Sequence, residues 1–204
     1  MILSVLPILI PLLIIIILIF SRSDKFSEII SISGTFINVL SAVFILWVTH
    51  SDDFMVTSVG GWPAPYGITL IIDRFSALLI LTTSIILFAI AIYTQNHLPK
   101  NTQYKRFYIF FFTLTMGING AFITGDLFNL YVWFEVLLLS SFVLITFGNQ
   151  KQQLQGGIKY LAMNLIGSLF LLAGIGLVYG KTGTVNIAQL AQIIAEYEGE
   201  VLWL

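Results

Sequence analysis

Glu135 is the residue whose position most calls for chemistry. It lies seven residues into an apolar run that starts at Phe128, about 10 Å deep at the rise of an α-helix and close to the middle of that run. A charged side chain at the centre of a membrane helix costs about 2.5–3.5 kcal/mol on insertion scales. Such a carboxyl must face a polar interior, pair with a cation, or stay protonated. Burial disfavours the ionised form and a nearby cation favours it, so a carboxyl held between the two gains and loses a proton as the cation moves. The chemistry implied is proton transfer. The competing reading is a hydrogen-bonded acid that ties helices together.

At about 100° per residue, Tyr131 and Thr146 share the Glu135 direction, together with Phe128, Leu139 and Phe142. Neighbouring apolar runs offer Asn119, and Asn164 with Ser168 four residues further on. These five polar residues are the candidate path lining, and each is equally explained as a contact between helices worth about 0.6 kcal/mol. Gly117 and Gly120 in one run, and Gly167 and Gly174 in another, are expected to let backbones come close to the helix that carries Glu135.

The elements that must position these groups follow from composition. Of 204 residues, 58% are apolar and 9% charged, where a soluble domain carries roughly a quarter charged. Nine Lys and Arg against ten Asp and Glu leave a net charge of −1, which argues against a basic nucleic-acid binder. There is no cysteine, and His50 and His97 lie in separate polar stretches, so a thiolate or His-based metal cluster and a Ser/His/Asp triad have almost nothing to be built from, and no cofactor is implied. Six runs are long enough to cross a bilayer core of about 30 Å: 2–20, 29–49, 75–94, 107–125, 128–148 and 158–180. The expected fold is therefore an all-α polytopic membrane protein, one transmembrane domain over residues 1–204, with the lipid bilayer as its solvent. Pro7 and Pro11 are expected to kink the first helix.

Placing the loops on alternate sides gathers Arg22, Lys25, Lys100, Lys105, Arg106, Lys151 and Lys159 on one face and leaves Arg74 and Lys181 on the other. Positively charged loops stay in the cytoplasm, which puts the N-terminus outside the cell membrane. Two outer connections have texture of their own. Residues 50–72 hold Gly60, Gly61, Pro63, Pro65 and Gly67 beside a β-branched run, which reads as a hairpin or a plain loop with interfacial aromatics. Residues 181–199 read as an interfacial loop with a short amphipathic helix. Residues 200–204 read as the start of a seventh apolar span, so the chain is expected to be the N-terminal part of a larger bundle.

The stretch 117–142, from Gly117-Ile118-Asn119-Gly120 through Asp126-Leu127-Phe128-Asn129 to Trp133-Phe134-Glu135-Val136, resembles the proton-translocating subunit family shared by respiratory complex I and the multisubunit Mrp-type Na⁺/H⁺ antiporters. Segments 60–68 (Gly-Gly-Trp-Pro-Ala-Pro), 73–79, 158–161 and 164–168 carry the same likeness. The resemblance implies two inverted five-helix repeats, a membrane complex with other subunits, and H⁺ and Na⁺ as transported ions. It also implies that Glu135 pairs with a lysine of a seventh span and relays protons. The sequence departs from the family in length, since members are more than twice as long and the expected lysine would fall beyond Leu204; Lys159 does not match it. A proton-pumping subunit of a complex I-type NADH:quinone oxidoreductase is the alternative, and a truncated, non-transporting scaffold is a further one.

Overall fold

The computed structural model describes residues 2–21, 23–51, 54–95 and 102–196. Six long helices dominate it: α1 (Ile2–Phe20), α2 (Asp24–Ser51), α3 (Arg74–Thr94), α4 (Thr102–Ile123), α5 (Leu127–Ile145) and α6 (Lys151–Thr182). All six are long and apolar enough to cross a membrane. The seventh span expected from residue 200 onward, together with His97, lies outside the described residues.

Helices α2, α4 and α6 begin about one to two turns before the apolar runs that announce them, at Asp24, Thr102 and Lys151. Hydropathy registers only the stretch that suits lipid, whereas backbone hydrogen bonding carries a helix into water until a cap stops it. At α6 that cap is a reciprocal pair, the Gln150 side chain accepting from the third helical residue while Gln153 Oε1 accepts from the Gln150 backbone N–H at 3.3 Å. Helix α1 runs unbroken through Pro7 and Pro11. Proline at 11 has no N–H to donate to the carbonyl of residue 7, and the Asn119 side-chain Nδ2 donates to that carbonyl at 2.8 Å instead. At the far end of α1, Lys105 Nζ donates to the Ile19 and Ser21 carbonyls, both at 2.8 Å, satisfying groups that the helix terminus leaves open.

Two apolar cores divide the bundle by depth. Ile14, Leu18, Leu87, Ala91, Tyr108, Phe111 and Phe112 form one in the half containing the α1–α2 turn. Ala42, Ile45, Leu70, Ile72, Ala77, Ile80 and Ile123 form the other beneath the opposite surface. That surface carries an antiparallel hairpin, β1 (Phe54–Ser58) paired with β2 (Thr69–Asp73) in the register Phe54 to Asp73. Gly60 and Gly61 both take positive φ in its turn, a conformation that glycine adopts without steric penalty. The hairpin is fastened rather than dangling. Ser4 and Thr57 share a buried hydroxyl hydrogen bond of 2.7 Å, and the Gly125 N–H donates to the Thr69 carbonyl at 2.8 Å. Asn186 caps α7 (Ile187–Glu196) by accepting from the Gln189 N–H, while its own Nδ2 donates to Thr69 Oγ1 at 3.1 Å. Asp73 ends β2 and caps α3, and the Ser76 backbone N–H, 2.7 Å away, holds its carboxyl below the usual carboxylate range against the opposing effect of burial.

Candidate proton-relay site

Asp126 opens α5 by accepting from the Asn129 N–H at 2.7 Å, which fixes the helix start and hence the depth of every residue after it. Glu135 is then the ninth of 19 helical residues. Of the described charged side chains in the six spans, it lies nearest the centre of its own helix. Trp133 and Leu137 pack on α4, where a side chain at Gly120 or Gly117 would press into them. Glu135, two residues from each, projects about 200° away and so leaves the opposite face of α5.

On that face the carboxyl is half-buried, with Oε1 enclosed and without a hydrogen-bond partner. The Tyr131 hydroxyl, one turn earlier, is close enough to act on it. Phe128 and Leu139 flank the pair and are 49% and 57% exposed, so the face is open to whatever packs beside α5. A buried carboxylate oxygen is costly to leave without a partner, and the open side of α5 is where a cation or a water could reach it. Among the described residues no cluster of three His, Cys, Asp or Glu could hold a metal ion.

The candidate lining residues do not converge on this carboxyl, Tyr131 excepted. Thr146 sits at the far end of α5, its hydroxyl spent on the Phe142 carbonyl at 2.9 Å and its methyl pressed toward Gly157. Asn119 faces α1, where it binds the Pro7 carbonyl. Asn164 and Ser168 line a groove of about 300 Å³ between α5 and α6, beside Phe134 and Leu138, and each bonds a carbonyl of its own helix. Gly167 and Gly174 meet nothing within 4 Å and make no approach to α5, unlike Gly117 and Gly120. Two further residues do not stand out in the sequence. Trp133 fills the α4–α5 contact with its Nε1 buried and unpartnered, and Asn38 is 4% exposed with its Nδ2 likewise unpartnered. The spacing Ser27, Ser31, Asn38 along one face of an apolar helix is the signal that could have found the second.

A bundle of six membrane-length helices, a fastened hairpin on one surface and a carboxyl at mid-helix define a polytopic helical membrane protein with an ionisable group inside one of its spans. Residues 124–204, which include Glu135, match the family model described as NADH:quinone oxidoreductase/Mrp antiporter, TM. The chain is 39% identical over 193 residues to the D-type subunit of the Na⁺/H⁺ antiporter of Bacillus subtilis, covering 94% of this chain and 39% of that protein. With the D-type subunit of Alkalihalophilus pseudofirmus it shares 34% identity over 197 residues, 96% of this chain and 40% of the relative. Among solved structures, a chain of the Mrp complex from Dietzia sp. superposes with a TM-score of 0.83 at 27% identity, over 92% of this chain and 35% of that one. A chain of the membrane-bound sulfane sulfur reductase, an archaeal respiratory membrane complex, gives 0.85 at 29% identity, over 93% and 39%. Residues 124–204 thus carry the transmembrane segment that NADH:quinone oxidoreductases and Mrp antiporters have in common, and over nearly its whole length the chain is similar to the D-type antiporter subunits. The chain spans about two fifths of the length of the curated relatives it matches.

Proposed function

We propose that this chain is the proton-handling part of a multisubunit Na⁺/H⁺ antiporter of the cell membrane, with Glu135 as its relay carboxylate. The observation that carries the reading is the position of Glu135: mid-helix, with Oε1 buried and unpartnered, on the open face of α5, inside the segment the family model matches. A proton arriving from one side binds the carboxyl. An approaching cation, which the resemblance identifies as a lysine of a seventh span, favours the ionised form and releases the proton onward. Tyr131, one turn earlier on the same face of α5, is the route for the first hop. Partner subunits complete the assembly, and Na⁺ efflux is coupled to proton entry.

The test is functional reconstitution. The whole protein, co-expressed with its partner subunits in a host lacking its own Na⁺/H⁺ antiporters, should let Na⁺ collapse a preformed pH gradient in everted membrane vesicles. A gradient indifferent to Na⁺ and to other monovalent cations would overturn the reading.

Orientation gives a separate prediction. The seven-to-two division of Lys and Arg puts the hairpin outside and the α5–α6 connection in the cytoplasm. A cysteine placed at Tyr66, which is 87% exposed, should react with an impermeant thiol reagent in intact cells, whereas one at Gln152 should react only after permeabilisation. Equal labelling at both sites would refute the orientation.

A further inference from the structure

Two polar side chains remain unsatisfied inside the bundle. Asn119 Oδ1 and Asn38 Nδ2 are both buried without a hydrogen-bond partner, on residues 1% and 4% exposed. One is an acceptor and the other a donor. Contacts fix how they stand. A side chain at Gly34 would meet both Ile14 and the ring of Phe112, so α1, α2 and α4 share one seam at that depth. Asn38 lies four residues beyond Gly34 and Asn119 seven beyond Phe112, spacings that return to the same helix face. Both asparagines therefore enter the seam. Helices α2 and α4 run in the same direction, and within their seam the two amides do not bond each other, since Asn38 Nδ2 and Asn119 Oδ1 are both left without a partner. A donor and an acceptor so placed suit one bridging molecule.

The third wall of the seam is α1 between Pro7 and Pro11, both buried. Prolines cannot donate to either amide, and the carbonyl they release already holds the Asn119 Nδ2. No charged residue lies on α1, or within a turn of Asn38 on α2 or of Asn119 on α4, so the seam offers no counter-charge to an ion. It suits a small neutral molecule that donates to one amide and accepts from the other.

We propose that a structural water occupies the α1–α2–α4 seam at mid-membrane, accepting from Asn38 Nδ2 and donating to Asn119 Oδ1, and thereby joins the proline-interrupted helix to its two neighbours. This site is independent of the relay carboxyl, since the Trp133 ring packed on Gly120 stands between α4 and the face of α5 that bears Glu135. Polar groups inside lipid-embedded bundles are satisfied in this way when no side chain reaches them.

X-ray hydroxyl-radical footprinting of the purified protein in lipid nanodiscs tests it, because radicals form on bound water and label what touches it. Pro7 and Pro11 should be oxidised about threefold faster or more than Ile80, which is equally buried but in a wholly apolar core. Labelling of the two prolines should fall to the Ile80 rate in Asn38→Leu/Asn119→Leu. Prolines labelled no faster than Ile80 in the wild-type protein would overturn the proposal, whether or not the double variant folds. Labelling that persists undiminished in a folded double variant would also overturn it, since the water would then not depend on these amides.

Discussion

Replacing Glu135 by Gln should abolish Na⁺/H⁺ exchange in the assembled antiporter while leaving the protein inserted at normal abundance. Gln matches Glu in size and keeps a hydrogen-bonding oxygen, so a carboxyl that merely ties helices would be replaced at little cost. It cannot bind and release a proton, and positioned proton-transfer groups contribute about 10²–10⁴-fold where they act. Insertion should be unharmed, because a neutral amide at mid-helix is less costly than a charge. Glu135→Asp keeps the titrating group but withdraws it by one methylene from both Tyr131 and the open face, so an intermediate loss is expected. The measurement is cation-dependent collapse of a pH gradient in everted vesicles at matched expression, across the neutral to alkaline range. Wild-type exchange by the Gln variant would make Glu135 a structural residue and remove it from the mechanism without touching the similarity to the D-type antiporter subunits.

The candidate relay residue is legible in the sequence because lipid makes a lone carboxyl expensive, and expense at a known depth is a strong signal. The six spans are legible for the same reason, as twenty or so apolar residues in a row admit few alternatives. The lining is not. Thr146 falls on the Glu135 side of a helical wheel, but it stands at the helix end and spends its hydroxyl on Phe142. A wheel gives direction without depth or neighbour. Asn119 and Asn164 look interchangeable as polar residues in apolar runs, yet one braces Pro7 and the other bonds its own helix on an open surface. Only the identity of the facing helix separates those roles, and that depends on packing between segments distant in the chain. The hairpin stands between these cases: its glycines and β-branched run announce a turn and a strand, while the ties through Thr69, Gly125 and Asn186 join three segments that no local pattern connects.

Glycine spacing carries the same ambiguity, and it yields the second large effect. Gly117, Gly120, Gly167 and Gly174 look alike in the sequence, but a Cβ at Gly120 would collide with Cδ2 and Cε2 of the Trp133 indole, whereas one at Gly167 would meet nothing within 4 Å. The indole cannot yield easily, because it is wedged between α4 and α5 and swinging out would expose it to lipid and open a void where it lay. Gly120→Ala should therefore destabilise the protein by about 1–3 kcal/mol, the usual cost of overpacking, and Gly120→Val by more. Gly167→Ala should be neutral or stabilising by up to about 1 kcal/mol, since alanine is the better helix former and has room. Gly117→Ala should fall between them, because its methyl would meet the Leu137 Cγ at 3.1 Å, which can shift by a few tenths of an ångström, and the Leu137 backbone nitrogen at 3.3 Å, which yields less. Thermal unfolding of the purified protein in one detergent ranks the three. Pairing Gly120→Ala with Trp133→Leu should recover part of the loss, because the smaller side chain vacates the space the methyl needs. A Gly120→Ala protein as stable as Gly167→Ala would show that α4 and α5 are further apart than these contacts require, and Glu135 would lose the geometry that turns it to the open side of the bundle.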